Sequence, residues 1–431
     1  MTDQYKVTEQ DLLTAREAAR RLGVKVETVY AYVSRGLLGR ERSAGRRGSR
    51  FRAADVDALA ARGRRAAFDE RAGPVLDTRL TAIADGELRY RGRDAVGLAR
   101  RRSFEAVAHW LWTGADGPPD PAWTASPAAL PAARAAQAML PPGVPPADRM
   151  RVILAVAAPL DPFRYDLGSP VVIRTAAGLI ATLVEGLPLL AEPTRPAGLA
   201  AGDEPRLASA LLPRLAPGRS HPGLVECLNA TLVLLADHEL ATSTFAARVA
   251  ASVRADPYSV VTAGLGAVAG RLHGGAGARA ARLLEEIGRP ADVIAVLAEH
   301  LKRSPRLPGF GHPLYPGGDP RAREILRGLA AARLTRTAAA RLRTAEHLLE
   351  VVATRGIAPN VDFALGTLAF VTGMAPAATE AIFALARSAG WIAHALEEYT
   401  ETPLRFRARG TYVGAPPDPG PHPIPIPGHG R

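Results

Sequence analysis

"GFGHPLYPGGDPRA", residues 309–322, decides how the rest of the chain is read. Three prolines and four glycines in this stretch exclude a buried helix, because proline removes a backbone donor and glycine is the most costly residue to order. The same stretch carries His312, Asp319 and Arg321 at fixed offsets. A restricted loop that presents an imidazole and a guanidinium together is not packing material.

Working outward, five other segments set ionisable residues beside glycine or at helix ends. His238 lies in "ADHELATSTFAARV", His273 in "GRLHGGAGA" and Asp362 in "APNVDFALG". Arg387 lies in "FALARSAGWIAHALEE" and Arg407 in "RFRARGTYVG". Singly, each has a plain structural reading. A histidine before two glycines often starts a helix, Asp362 can cap the helix opening at Phe363, and the arginines can be surface charges. His347 and His394, mid-helix among apolar neighbours, read as structural. Order and spacing together lift the set above chance.

The chain has 431 residues, 47% of them hydrophobic and 22% charged, which suits a soluble protein of two or three domains. Its net charge of +12 is carried almost wholly by arginine, since Lys6, Lys25 and Lys302 are the only lysines. In a chain rich in Ala, Gly and Pro, biased codon usage explains that charge as well as a polyanionic partner does. The polar opening "MTDQYKVTEQ" does not resemble a signal peptide, and Arg174 and Glu185 break the apolar run "VVIRTAAGLIATLVEGLPLL" well short of a membrane span. Cys227 is the single cysteine, so no internal disulfide forms. The expectation is a cytoplasmic protein without a membrane partner.

Residues 1–70 read as a separate unit. Thr14 and Glu17 have the spacing of a capping box, Ala18, Ala19 and Leu22 follow at helical period, Gly23 breaks the helix, and a second helix runs over about 26–34. An arginine-rich hairpin and a closing helix follow. This segment resembles a winged helix-turn-helix of the MerR or excisionase type. The resemblance places Lys25, Thr28, Tyr30 and Arg35 near a major groove and Arg46 and Arg47 on phosphates. DNA is therefore an expected partner, and a protein-contact module is the alternative. Beyond residue 80 helical periodicity dominates. "DGELRYRGRD" suggests one short strand or hairpin, and residues 416–431 read as a Pro/Gly-rich disordered tail.

From about 73 to 415 the chain resembles citrate synthase. The motifs "ADHE", "LHGGA", "GFGH" with "DPRA" beyond it, "PNVDF" and "GWIAH" recur in that family's order. The resemblance implies a mainly α fold of two helical domains, the larger from 71–274 and 379–415 and the smaller from 275–378, in a homodimer. It implies a transferase that joins acetyl-CoA, or propionyl-CoA, to oxaloacetate, with no permanently bound cofactor and no metal. Asp362 would take the methyl proton, His273 would stabilise the enol, and His312 would act on the ketone. His238, Arg321, Phe383, Arg387 and Arg407 would bind substrate, Arg407 reaching across from the partner subunit.

The chain departs from the family's usual pattern in several places. Pro313 follows the loop histidine, Pro316 stands where a basic residue commonly meets CoA phosphates, Gly277 and Ala278 replace Asn-Glu, and Ala241 replaces an asparagine. The reacting groups are all kept. A second function class remains open: a DNA-binding regulator whose synthase-like body senses oxaloacetate, citrate or an acyl-CoA. A scaffolding pseudoenzyme is the third.

Overall fold

The computed structural model describes residues 12–22, 24–34, 36–42, 49–53, 55–57, 59, 75–116, 123–192, 206–218, 221–270, 272–304 and 306–414. Arg35, Arg46, Arg47 and the 416–431 segment lie outside the described residues.

The amino-terminal unit runs β1 (Leu12–Thr14), α1 (Ala15–Leu22), α2 (Val26–Ser34), β2 (Glu41–Arg42) and β3 (Ser49–Arg52). The capping box forms as the spacing predicts: Glu17 N–H donates to Thr14 Oγ1 at 3.3 Å, and Thr14 N–H donates back to Glu17 Oε2 at 2.7 Å. β3 is central to an antiparallel sheet of order β1-β3-β2. Ala18, Ala19, Val29, Leu38, Phe51 and Val56 bury together into a small core of its own. Lys25, just before α2, is exposed and Thr28 is half-buried. Tyr30 is 44% exposed and meets Phe51 edge-on at 6.5 Å.

In the body, β4 (Thr81–Ala84), β5 (Glu87–Tyr90) and β6 (Arg93–Asp94) form an antiparallel meander. Sequence reading expects a strand or a hairpin here, and the third strand is the difference. Asp85-Gly86 and Arg91-Gly92 both take positive φ, of 54°, 77°, 44° and 82°, the backbone of the tight primed turns that join antiparallel strands. The meander is fastened to the helical body through its second strand. Buried Tyr90 places its hydroxyl within 3.0–3.1 Å of the carbonyls of Val233, Leu234 and Asp237.

Helices account for the rest. They are α3 (Ala95–Arg101), α4 (Phe104–Thr113), α5 (Ala129–Ala138), α6 (Pro146–Ala157) and α7 (Ser169–Glu185). Next come α8 (Arg206–Leu215), α9 (Pro222–Leu235), α10 (Thr242–Ser252), α11 (Pro257–Val268) and α12 (Ala276–Ile287). The last five are α13 (Val293–Arg303), α14 (Pro320–Ala331), α15 (Arg336–Ala353), α16 (Val361–Thr372) and α17 (Ala378–Tyr399). Their starts are written locally. Asp256 before Pro257 and Asp319 before Pro320 accept first-turn N–H groups, as an acidic cap ahead of a proline at the first helical position does.

One large core runs from Leu80 to Leu396. At its centre α17 is buried on nearly every face. Trp391 packs onto Gly264, where an added Cβ would fall 2.5 Å from the indole. A second cluster gathers Leu284, Ile287, Val293, Leu297, Leu348, Phe363 and Phe370 from α12, α13, α15 and α16. Among the described residues no helix is long and apolar enough to cross a membrane.

Candidate active site

The 309–322 loop is fastened to the segment that opens α16. Asn360 N–H donates to Gly309 O at 2.9 Å, Gly311 N–H to Ala358 O at 2.8 Å, and Asn360 Nδ2 to Gly311 O at 2.8 Å. Gly309, at φ 84°, brings its backbone so close that an added Cβ would lie 2.7 Å from Phe363 Cα. Only glycine meets both demands. His312 and Asp362 are therefore parts of one rigid unit.

Asp319 is the clasp of that unit. It is 2% exposed. One oxygen accepts from Arg321 N–H and Nε at 3.0 Å each, and the other from Arg321 Nη2 at 2.8 Å and Val361 N–H at 3.0 Å. One carboxylate thus caps α14, holds the Arg321 guanidinium and grips the residue before Asp362. The family resemblance leads one to expect a free Arg321 fork for substrate. Its Nε/Nη2 edge is instead taken by Asp319, so a ligand meets the remaining face. Asp319 outweighs burial and keeps Arg321 above its ordinary pKa.

Three groups meet over Arg321. His238 Nε2 lies 2.9 Å from Tyr315 Oη, the His238 and His312 rings are 5.6 Å apart edge-to-face, and His312 lies 4.9 Å from Tyr315. Burial, reinforced by Arg321, Arg387 and His312, drives His238 well below the usual imidazole range. Burial and then Arg321 lower His312 to about 4, against a smaller opposing effect of Asp319. Its Nδ1 accepts Leu314 N–H at 3.1 Å, so in the neutral ring the proton sits on Nε2, ready to donate.

His273 stands apart from that trio, on Phe383 at a ring distance of 5.6 Å edge-to-face. Its Nε2 is 2.9 Å from Ser243 Oγ, and burial followed by Arg387 lowers it to about 4. Phe383 also lies under Arg387, whose Cζ is 4.6 Å from the ring centre. Arg387 is 1% exposed and donates Nε to Leu235 O at 2.8 Å. Burial lowers its guanidinium to about 10, against the pull of Asp237. Arg387 thereby links the His273 side to the His238 side.

Asp362 is half-buried, and its N–H donates to the capping Asn360 Oδ1 at 3.0 Å. Burial raises its carboxyl to about 6, against Arg321 and Arg279, with Asp319 adding to the rise. Arg407 is exposed and donates its backbone N–H to Leu404 O. Among the described residues no hydrogen bond or ion pair joins it to the other groups of the site.

Three groups that sequence reasoning did not single out belong to the site, Ser243, Tyr315 and Asn360, and Asp319, noted there only by its spacing, is its clasp. His394, read as structural, is buried between two charged partners. Arg248 Nη1 donates to its Nδ1 at 3.0 Å, and its Nε2 reaches Asp237 Oδ2 at 3.2 Å. Arg248 in turn binds Glu398, which also takes Arg405 bidentately at 2.7 and 2.6 Å. His347 is an outer-face partner of Glu350. Cys227 is buried, and burial lifts its thiol to about 12, so it is inert packing.

The arrangement offers a carboxylate of raised basicity, three neutral imidazoles and two buried guanidiniums, a set for moving one proton and holding a small dianion. Among the described residues no metal cluster forms.

Residues 71–409 match the family model "Citrate synthase, C-terminal domain", and residues 12–64 match "Helix-turn-helix domain". The chain is 32% identical over 371 residues to 2-methylcitrate synthase of Mycobacterium tuberculosis, covering 80% of this chain and 89% of that one. It is 37% identical over 193 residues to citrate synthase 2 of Bacillus subtilis, covering 44% and 51%. Among solved structures, citrate synthase of Thermoplasma acidophilum in complex with carboxymethyl coenzyme A and oxaloacetate aligns with a TM-score of 0.65 at 26% identity, over 81% of this chain and 96% of that one. Citrate synthase of Thermotoga maritima aligns at 0.61 and 28% identity, over 80% and 94%.

Proposed function

Because this chain belongs to the citrate synthase family, and is an enzyme of that type, we propose that it condenses acetyl-CoA or propionyl-CoA with oxaloacetate, using Asp362, His273 and His312. The observation that carries the reading is the rigid unit in which Asp319 and Asn360 tie Arg321 and His312 to the helix bearing Asp362.

Asp362 takes the proton alpha to the thioester. A carboxylate at about 6 is a stronger base than an ordinary one and is still ionised at neutral pH. His273 donates N–H to the thioester oxygen as the enol forms. Ser243 Oγ lies 2.9 Å from Nε2 and holds the ring in place, and the burial that lowers its pKa to about 4 keeps it neutral. A neutral donor suits an enolate, since it stabilises developing charge without first being deprotonated.

The enol carbon then attacks the ketone of oxaloacetate, whose oxygen His312 holds through Nε2–H. The two carboxylates of oxaloacetate, entering beside Arg321 and Arg387, offset the guanidinium field that lowers His312. His312 Nε2–H stays hydrogen-bonded to the alkoxide as it forms, and the proton the alkoxide takes up from water is balanced by the one Asp362 removed from the methyl group and later returns. His238 fixes Tyr315 and the same substrate, and Phe383 shields Arg387. Arg407 contributes from a second subunit of a homodimer. Water then hydrolyses the thioester, releasing CoA.

The larger domain, 71–274 with 379–415, and the smaller, 275–378, hinge near His273 to exclude water during condensation. The test follows free thiol as it appears with acetyl-CoA and propionyl-CoA side by side, each with and without oxaloacetate. Oxaloacetate-dependent thiol release with either supports the reading; none with both refutes it.

The helix-turn-helix, with Lys25 and Tyr30 exposed at α2, supports a second role in binding duplex DNA, with Thr28 and the arginines Arg35, Arg46 and Arg47 as further contacts.

A further inference from the structure

Away from the catalytic groups, a cavity of about 370 Å³ opens between α3, α9 and α14. Arg100, Arg101, Arg102 and Arg327 stand on its wall, with Glu226 and Glu324 as its only carboxylates. Arg102 pairs with Asp116 outside the wall and Arg100 and Arg327 share Glu324, so the four guanidiniums still outnumber the carboxylates that hold them, and α9 adds the positive end of its dipole at Gly223. Arg101 is exposed and has no ionic partner among the described residues.

Glu324 makes the cavity more than a charged patch. Its side chain is 3% exposed, and both oxygens are held from the cavity side. Arg100 binds one at 2.6 Å and Arg327 the other at 2.5 Å. Glu324 lies one turn along α14 from Arg321, which Asp319 clasps at the helix start. An anion that draws Arg100 and Arg327 away leaves a buried carboxylate without its partners, a costly state that α14 relieves by shifting.

We propose that this cavity is an effector site for a small, multiply charged oxyanion, a phosphate ester or a polycarboxylate, that weakens oxaloacetate binding through α14. Recognition rests on bidentate guanidinium pairing, which both anion types satisfy. Only the coupling half of the proposal depends on oxaloacetate occupying the Arg321 site. Linkage requires reciprocity: the factor by which the anion weakens oxaloacetate is the factor by which oxaloacetate weakens the anion.

The test is calorimetric titration of the full chain at fixed ionic strength with pyrophosphate and, separately, propane-1,2,3-tricarboxylate. One of the two should bind one-to-one, and which one identifies the source class. In R101A/R327A, which removes two charge-assisted contacts, the affinity should fall about tenfold or more. In E226Q, which removes an exposed like charge without opening an internal contact, it should rise severalfold. Saturating probe should weaken oxaloacetate in the wild type and leave it unchanged in R101A/R327A. Failure of both probes to bind, equal affinity in R101A/R327A, or weaker binding in E226Q overturns the site. An oxaloacetate affinity indifferent to bound probe overturns the coupling. Oxaloacetate that does not bind at all refutes the catalytic reading instead, and leaves the anion titration standing.

Discussion

Asp362 should cost the protein stability in proportion to the basicity it gains. Its carboxyl lies at about 6 in the folded chain against 3.8 for an unburied aspartate. At about 1.4 kcal/mol for each unit between those values, the ionised side chain destabilises the fold by about 3 kcal/mol at neutral pH. The sign comes from proton binding. Below pH 4 the group is protonated in both states and contributes nothing. Between 4 and 6 the folded state holds the proton and the unfolded state does not, so the penalty grows with pH. Above 6 it is complete. Asp362→Asn removes the charge at nearly constant shape. It should be more stable than wild type by about 3 kcal/mol at pH 7.5, with the gain shrinking towards zero as pH approaches 4. Urea unfolding at the two pH values, read by circular dichroism, measures this. A gain of equal size at both would refute burial of charge as its cause. No gain at pH 7.5 would refute the raised carboxyl itself.

Other substitutions probe the neighbouring groups. Asp319→Asn leaves buried Arg321 without its counter-charge and turns an amide N–H towards Arg321 or Val361, so it should destabilise the chain by about 3–5 kcal/mol and raise the oxaloacetate KM; loss of neither in urea unfolding and steady-state kinetics removes Asp319 as the clasp. Ser243→Ala deletes the hydroxyl that holds His273 at Nε2 and should lower kcat about tenfold with the oxaloacetate KM unchanged, whereas a change confined to KM assigns Ser243 to binding. Fluorescence anisotropy should show the full chain binding duplex DNA in low salt and releasing it as salt rises, with binding lost when residues 1–70 are deleted; equal binding by the shortened chain moves the contact elsewhere.

The helices around the site were legible because their starts are local. Thr14 with Glu17 writes a cap within three residues, while at α16 the cap is Asn360, which accepts Asp362 N–H, and not Asp362 itself, because the helix opens at Val361 and not at Phe363. The candidate groups were legible because glycine and proline flank them at a spacing that packing does not require. What stayed hidden is contact between distant segments. Tyr315 meets His238 across 77 positions, and Ser243 meets His273 across 30. No periodicity reports a hydrogen bond of that kind. Asp319 was visible by its spacing in the loop, yet its hold on Val361 N–H spans 42 positions and depends on how the loop folds back. β6 was missed for a different reason: two residues are too few for any alternation to show.

Asp362 as the base is the central claim, and the rate of thiol release from acyl-CoA in the presence of oxaloacetate tests it most directly. Asp362→Ala, assayed at saturating substrates beside the wild type, should lose activity by several orders of magnitude while remaining folded. Turnover at the wild-type rate would remove Asp362 from the chemistry and the proposed mechanism with it.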